Sequence, residues 1–288
     1  MGASGRAAPA RVMVTAASAA AWALLAAGAA GAAAAGGMAA SAFGWGVTEA
    51  EVRLRRLPAA FDGMTILFIT DIHRRKLPAS LFAPLRERAG VVLVGGDLTE
   101  RGVPLDRVRS NMELLVSVAP VYAVHGNHDY RADTEQVDQA VKESGARLLA
   151  DENTPLRRGG ETLWLTGIDF PRQGSRAYGP LPALPPEERE TCRIVLVHDP
   201  LWLSMQERVP AELVLCGHTH GGQIRLPLLG ARHADPFYGR YESGWHTWRG
   251  RSEAESAQVL ISRGFGTAHV PLRLRCPAEF HLLTLRRS

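Results

Sequence analysis

The amino-acid sequence predicts a mixed α/β fold with parallel strands, preceded by an apolar N-terminal segment. Short apolar runs alternate with segments of helical spacing, and five of these runs end at clusters of Asp, Asn, His and Gly. Short apolar runs bounded by Gly and polar residues are typical of strands buried on both faces. Ligands bind beyond the carboxyl ends of such strands. We therefore expect the polar clusters to meet at one rim of a sheet.

The N-terminal segment is long enough to cross a membrane. No charged residue lies between Arg11 and Glu49, and the run is dominated by Ala and Gly. A membrane-spanning helix needs about 20 apolar residues, and Arg6 and Arg11 precede the run as in a signal peptide or an anchor. We divide the chain into a signal peptide or transmembrane anchor at 1–48 and a catalytic domain at 49–288. That domain is expected to be anchored or exported and to lie outside the cytoplasm; a disordered tail is the alternative for 1–48.

Metal-binding residue types follow each of the five predicted strands. The strands span 64–70, 91–94, 121–124, 193–197 and 213–216, and the residues that follow them are Asp71, His73, Asp97, Asn127, His128, His198, His218 and His220. Asp, Asn and neutral His suit Mn, Fe, Zn, Ni or Mg rather than metals that prefer thiolates. A single Gly-Asp or Asp-x-His is more often a helix cap or a turn. Five such pieces, each after a strand, together indicate a metal site.

Such a ligand set suits a hydrolase with two divalent metal ions. Two ions about 3.5–4 Å apart can hold both the attacking and the leaving oxygen of an in-line displacement. A carboxylate must bridge them, and Asp97 is the natural candidate. Because the cations stabilise hydroxide, a metal-bridging hydroxide becomes a nucleophile near neutral pH. The sequence therefore predicts a metal-dependent phosphohydrolase.

The order D-x-H, G-D, G-N-H-D, H and G-H-x-H resembles the calcineurin-like metallophosphoesterases over residues 51–285. The run 217–223, the pair Asp62-Gly63 and the run 262–266 are similar to the bacterial YaeI/YkuE-type branch of that family. The resemblance implies a four-layer α/β/β/α sandwich with the metal site at the rim between two sheets. It also implies that one metal is held by Asp71, His73 and His220, the other by Asn127, His198 and His218, with Asp97 as the bridge and His128 beside the leaving oxygen.

Two further residues are candidates for the site. The family pattern commonly reads G-D-x-x-D, and Glu100 stands where its second Asp is expected. Because Glu100 can still accept a hydrogen bond from an imidazole, we predict that it keeps a catalytic role; a solvated carboxylate at a helix start is the alternative. Arg263 is predicted to bind a substrate phosphate, since a guanidinium suits that geometry. A role in supporting the backbone is its alternative.

The rest of the chain predicts the remaining elements. Helices are expected over 105–118 and from an N-cap at Thr134 to about residue 144. Further strands are predicted at 146–149, 162–168, 258–262 and 280–285. The stretches 171–186 and 226–250 are predicted loops at the site, where substrate choice often lies.

Composition limits the function further. The net charge of +4 fits a phosphate-bearing substrate or an anionic membrane and is too scattered to indicate nucleic-acid binding. The three cysteines give neither a disulfide framework nor metal-site spacing. We predict cleavage of a phosphodiester, pyrophosphate or phosphomonoester in an envelope or lipid-linked substrate, with the membrane as a partner of the N-terminal segment. A protein phosphatase and a non-catalytic, metal-stabilised binding module are the alternatives.

Overall fold

Two six-stranded sheets form the centre of the computed structural model, which describes residues 16–172, 178–233, 235–249 and 256–288. Across the first sheet the strands follow the order β1 (Gly46–Leu54), β12 (Glu279–Arg287), β2 (Thr65–Ile69), β3 (Val91–Val94), β4 (Val121–Ala123) and β5 (Arg147–Leu148). Neighbouring strands run parallel except β12 and β2, which are antiparallel. The carboxyl ends of β2, β3 and β4 therefore lie at one edge.

The second sheet repeats this arrangement. Its order is β10 (Gly244–Trp248), β11 (Ala257–Ile261), β9 (Leu213–Cys216), β8 (Arg193–Val197), β7 (Glu161–Ile168) and β6 (Glu152–Arg158). The four central strands are parallel, and an antiparallel strand closes each side. The carboxyl ends of β8 and β9 lie at the same rim as those of β2 and β3. Hydrogen bonds join the loops that follow these strands, for example between His198 Nδ1 and the Gly95 carbonyl.

Apolar side chains fill the space between the two sheets and cover both outer faces. Phe68, Leu93, Leu196 and Leu215 belong to the buried cluster between the sheets. Three helices cover the outer face of the first sheet: α2 (Ala79–Phe82), α3 (Leu105–Val116) and α4 (Thr134–Glu143). The outer face of the second sheet is covered by the 3-10 helix Pro200–Met205 and by loops. The mixed α/β prediction with two sheets is confirmed, and the fourth layer is thin.

Several element predictions need correction. The N-cap of α4 is Asp133 and not Thr134, because the Asp133 side chain accepts a hydrogen bond from the Gln136 N–H. Strands β1 and β6 were not predicted, since β1 carries charged side chains at exposed alternate positions and β6 combines polar residues with a proline, Pro155. The predicted loop 226–250 contains a short helix, α5 (Pro236–Arg240), and strand β10. Within the predicted loop 171–186, residues 173–177 lie outside the described residues.

The N-terminal segment forms a helix, α1 (Ala16–Phe43). Its part Ala20–Phe43 is long and apolar enough to cross a membrane, and its most apolar window is not buried in the protein. The carboxyl end of α1 is held by Arg75, whose guanidinium donates to the carbonyls of Phe43 at 2.7 Å and Gly44 at 2.8 Å. A positive charge stabilises the last turn of a helix, where the backbone carbonyls lack hydrogen-bond partners. The helix is thereby fixed to the loop that follows β2.

Candidate metal centre

The loops at the shared rim hold their polar residues in an unusual backbone conformation. Among the described residues, ten that are not glycine have positive φ, and five of them are Asp71, His73, Asp97, His218 and His220. Their φ values lie between 49° and 71°. L-residues rarely adopt this left-handed region, and such strain persists at functional sites where the surroundings enforce it. Five of the seven predicted metal ligands therefore have a strained backbone.

The first ligand set consists of Asp71, His73 and His220. The Nε2 atoms of His73 and His220 are 3.1 Å apart, and His220 Nε2 is 3.4 Å from Asp71 Oδ1. All three side chains are buried. Backbone hydrogen bonds from Asp71 N to Gly96 O and from His73 N to Asp97 O fix this loop against the next one.

The second ligand set consists of Asn127, His198 and His218. Asn127 Oδ1 is 2.9 Å from His218 Nδ1 and 3.3 Å from His198 Nε2. The two imidazole nitrogens are 3.2 Å from each other. Three donor atoms therefore converge on one point, and His218 carries the most exposed side chain of the set's two histidines.

Asp97 lies between the two ligand sets. Its Oδ2 is 3.5 Å from Nε2 of His73 and 3.5 Å from Nε2 of His198. Its Oδ1 accepts a hydrogen bond from the backbone N–H of His128 at 2.8 Å. The loop approaches so closely that a Cβ on Gly126 would lie 2.2 Å from Oδ1 of Asp97. Only glycine permits this approach, so the G-N-H-D motif is shaped around the shared carboxylate.

The donor chemistry fits divalent cations. His198 Nδ1 is 2.8 Å from the Gly95 carbonyl, and His73 Nδ1 is 3.1 Å from Glu100 Oε2. Each partner is an acceptor and keeps the proton on Nδ1, which leaves the Nε2 lone pair facing the site. Burial raises the pKa of the Asp71 carboxyl, and the nearby Asp97 raises it as well. A cation between these buried carboxylates would remove the repulsion, because buried charges need a partner or a metal.

Glu100 stands behind a predicted ligand. Its Oε2 is 3.1 Å from His73 Nδ1 and 4.0 Å from His128 Nδ1, and its other oxygen pairs with Arg74. The hydrogen bond with His73 lowers the pKa of the Glu100 carboxyl. Glu100 is thus placed to orient His73, and it is closer to His73 than to His128.

His128 lies at the opening of the site. Its ring meets the His73 ring edge-on, with centroids 4.8 Å apart, and its side chain is partly exposed. Burial lowers the pKa of His128 to about 4. Next to it, the buried Asp129 carboxylate accepts hydrogen bonds from Gly126 N and Thr99 N and holds the two loops together.

Arg263 does not join the two ligand sets. Its guanidinium pairs with the Glu279 carboxylate, and its backbone N–H donates to the same carboxylate at 2.9 Å. The side chain packs beside Gly221, next to His220. These contacts support the loop that carries His220.

Two tyrosines near the second ligand set were not among the predicted site residues. The Tyr178 and Tyr238 hydroxyls both donate to Asp199, and Asp199 Oδ2 lies 3.8 Å from His218 Nε2. The Phe170 ring lies against His198 and His218. The aromatic residues of the stretch 226–250 were the available signal for Tyr238, whereas 171–186 holds the single aromatic residue Tyr178. The position of Asp199 directly after His198 pointed toward the site.

Comparison with known proteins identifies the family. Residues 64–222 match the sequence model of the calcineurin-like phosphoesterases. The chain belongs to the calcineurin-like phosphoesterase family. Family membership confirms the predicted resemblance, and the chain is a hydrolase of phosphoester bonds.

Individual relatives agree with this assignment. The chain is 30% identical over 231 residues to the phosphodiesterase YaeI of Escherichia coli, a match that covers 76% of this chain and 81% of YaeI. It is 34% identical over 225 residues to YpbG of Bacillus subtilis, covering 77% and 81%. It is also 28% identical over 266 residues to a transmembrane protein with a metallophosphoesterase domain from Danio rerio, covering 84% and 57%.

Proposed function

We propose that this family member uses two divalent metal ions to hydrolyse a phosphodiester bond. The observation that carries the proposal is the position of Asp97 Oδ2, 3.5 Å from a histidine nitrogen of each ligand set. One oxygen that faces two groups of donors is the arrangement that a bridged pair of ions requires. Bound ions would activate water and neutralise the charge of the phosphate. Mn, Fe, Zn, Ni and Mg all suit these donors.

The chain's own residues have separate tasks in this proposal. Glu100 and the Gly95 carbonyl hold His73 and His198 in the tautomer that exposes Nε2. His128 remains neutral near pH 7 because burial lowers its pKa to about 4. A neutral imidazole at the opening can donate a hydrogen bond to the leaving oxygen and stabilise the charge that develops there. His128 is therefore the proposed catalytic residue.

The substrate is proposed to be a diester that is lipid-linked or belongs to the cell envelope. The relative YaeI is named a phosphodiesterase, and the helix Ala20–Phe43 is long and apolar enough to cross a membrane. Aromatic rings of Phe170 and Tyr238 line the side of the second ligand set. Such a wall suits an apolar group next to the phosphate. We propose that α1 anchors the chain and that the catalytic domain lies outside the cytoplasm.

The test compares metal content with turnover in the purified full-length chain. Bis-p-nitrophenyl phosphate and p-nitrophenyl phosphate are offered to metal-free protein and to protein with each divalent ion. The variants are Asp97→Asn and His128→Ala, and Asp106→Asn removes an exposed carboxylate on α3 as the matched control. We expect diester turnover that needs metal, survives Asp106→Asn and is lost in the other two variants.

Two results would overturn the proposed diester hydrolysis, and a third would overturn its dinuclear metal centre. A folded chain that binds two ions but hydrolyses neither ester would favour a metal-stabilised binding module. Turnover of the monoester with no diester activity would favour a phosphatase. A metal content of one ion per active chain would contradict the dinuclear arrangement while leaving the hydrolase class intact.

A further inference from the structure

An apolar loop projects from the metal rim beside the point where α1 leaves the domain. The loop spans residues 226–230 and is closed by two hydrogen bonds between Leu226 and Gly230. At its tip, Leu228 has a relative exposure of 106% and Leu229 of 76%. Leu228 also has a φ of 67°. A bulky residue rarely adopts this backbone conformation. The loop therefore exposes apolar side chains to water and also holds Leu228 in an unfavourable backbone conformation.

The apolar loop is fastened to the exit point of α1. Arg225 N donates to Leu274 O, and Leu274 N donates to Gln223 O. Arg273, one residue before, donates its backbone N–H to the Met38 carbonyl of α1 at 3.1 Å. Residues 20–37 of the helix are all exposed. At 1.5 Å per residue they span about 27 Å, close to the thickness of a bilayer core.

A second loop, residues 268–272, extends the same surface. The Gln223 side chain donates to the carbonyls of Ala268 and Val270, and Val270 is exposed. Gln223, Leu228, His269 and Arg275 all have positive φ, which makes them four of the five non-glycine residues with positive φ outside the predicted ligands in the described part of the chain. Strain of this kind collects at functional sites. It therefore marks this surface as well as the metal rim.

Positive charge surrounds the apolar tip. Arg225, Leu226, Leu228, Gly230 and Arg275 line a concavity of about 420 Å³. Arg232 and Arg275 are exposed, and Arg225 pairs with Glu242 at 3.1 Å. Guanidinium groups beside leucines match a lipid phosphate above its acyl carbons. Such a pattern is typical of a surface that enters the bilayer interface.

We propose that the apolar loop and the exposed residues around Val270 dock into the anionic surface of the bilayer that holds α1. The leucines enter the interface, and the Arg225–Arg275 concavity receives a phospholipid phosphate. Docking fixes the distance from membrane to metal centre, because the loop begins six residues after His220 and the residue that follows the loop, Ala231, packs against Gly222. A Cβ on Gly222 would lie 2.1 Å from Ala231 Cβ, which shows how closely the end of the apolar loop approaches the turn that carries His220.

The first measurement needs no turnover, so its failure is distinct from a failure of the proposed hydrolase activity. Leu228→Cys in the full-length chain is labelled with an environment-sensitive dye and reconstituted into vesicles of phosphatidylcholine with about 30 mol% phosphatidylglycerol. The native cysteines Cys192, Cys216 and Cys276 are buried. Arg158→Cys is the matched control, because it is exposed on the hairpin between β6 and β7 at the opposite end of the sheets.

We expect a blue shift at Leu228 and quenching by lipid-borne quenchers, with neither effect at Arg158. The shift should weaken in pure phosphatidylcholine, and Arg275→Gln should reduce the difference between the two lipids. Equal, water-like emission at both positions would overturn docking. A blue shift that already occurs in detergent and grows with protein concentration would instead assign the surface to a second copy of the chain.

A second variant tests the leucines without a label at the tip. Leu228→Gln with Leu229→Gln should abolish the lipid quenching of a dye at His269→Cys, an exposed neighbour on the second loop. Met205→Gln removes an exposed apolar side chain of the 3-10 helix Pro200–Met205 and should leave that quenching unchanged. Unaltered quenching in the double variant would show that α1 alone sets the position of this surface.

Discussion

The two ligand sets of the metal centre differ in their exposure to water and in what stands behind them. Asp71, His73 and His220 are buried, and His73 is backed by the charged Glu100. In the second set, His198 is backed by a neutral carbonyl, and 26% of the His218 side chain is exposed. The first set also has a carboxylate of its own, whereas the second has an amide. We therefore propose that the first set retains its ion and that the second exchanges its ion and meets substrate.

The largest expected effect comes from the residue that the two sets share. Asp97→Asn removes the carboxylate charge from both, so we expect metal content to fall and turnover to decrease by about three orders of magnitude or more. Elemental analysis beside steady-state kinetics measures both quantities. Full turnover with unchanged metal content would refute the bridging role.

Stepwise metal removal tests the difference between the sets directly. We expect a chelator to take one ion quickly from the second set, which has the more exposed histidine, and the other slowly from the first. Activity should disappear with the first ion and return when divalent metal is added. Simultaneous loss of both ions would mean that exposure does not separate the two sets.

A smaller and selective effect is expected from the residues behind the ligands. Glu100→Gln should weaken metal binding by the first set by about 10–100-fold, because the carboxylate orients His73 and raises its basicity. Tyr238→Phe removes one of the hydrogen bonds to Asp199 and should weaken the second set by about fivefold. Titration of metal-free protein separates the two affinities. If both variants weakened both sets equally, Glu100 and Tyr238 would not support different ligand sets.

An effect on stability, without a change in turnover, is expected away from both ligand sets. His281 is buried and shares a hydrogen bond with Ser262 Oγ at 3.0 Å. Its ring stacks on Phe68, and its Nε2 lies 3.5 Å from the Glu279 carboxylate. Burial lowers its pKa from 6.5 to about 4. A lowered histidine pKa means that the folded state binds fewer protons, so stability falls as pH decreases from about 6.5 to about 4.

His281→Gln should remove about 3 kcal/mol of this pH dependence, since each pKa unit corresponds to about 1.4 kcal/mol. Denaturant unfolding of the metal-free chain at several pH values measures it. Parallel stability curves for the variant and the natural chain would show that His281 does not titrate in this way.

The sequence was sufficient to locate the rim and the polar residues that meet there, because buried parallel strands deliver their polar ends to one edge whatever the rest of the fold. It was insufficient for β1 and β6, whose pattern of exposed polar positions resembles a loop when the partner strand is unknown. It also left the place of Glu100 open. A side chain four bonds long can turn to either histidine, and only the packing of Arg74 and His73 settles its direction.

The hydrogen bonds from Arg75 to the carbonyls of Phe43 and Gly44 join the end of α1 directly to the domain, with no flexible linker between them. With α1 in a bilayer, the catalytic centre would stay at a fixed, short distance from the membrane surface. It would encounter substrate by lateral diffusion in the plane of the bilayer. The rate would then follow the mole fraction of substrate in the lipid sheet, and diluting the surrounding solution would leave it unchanged.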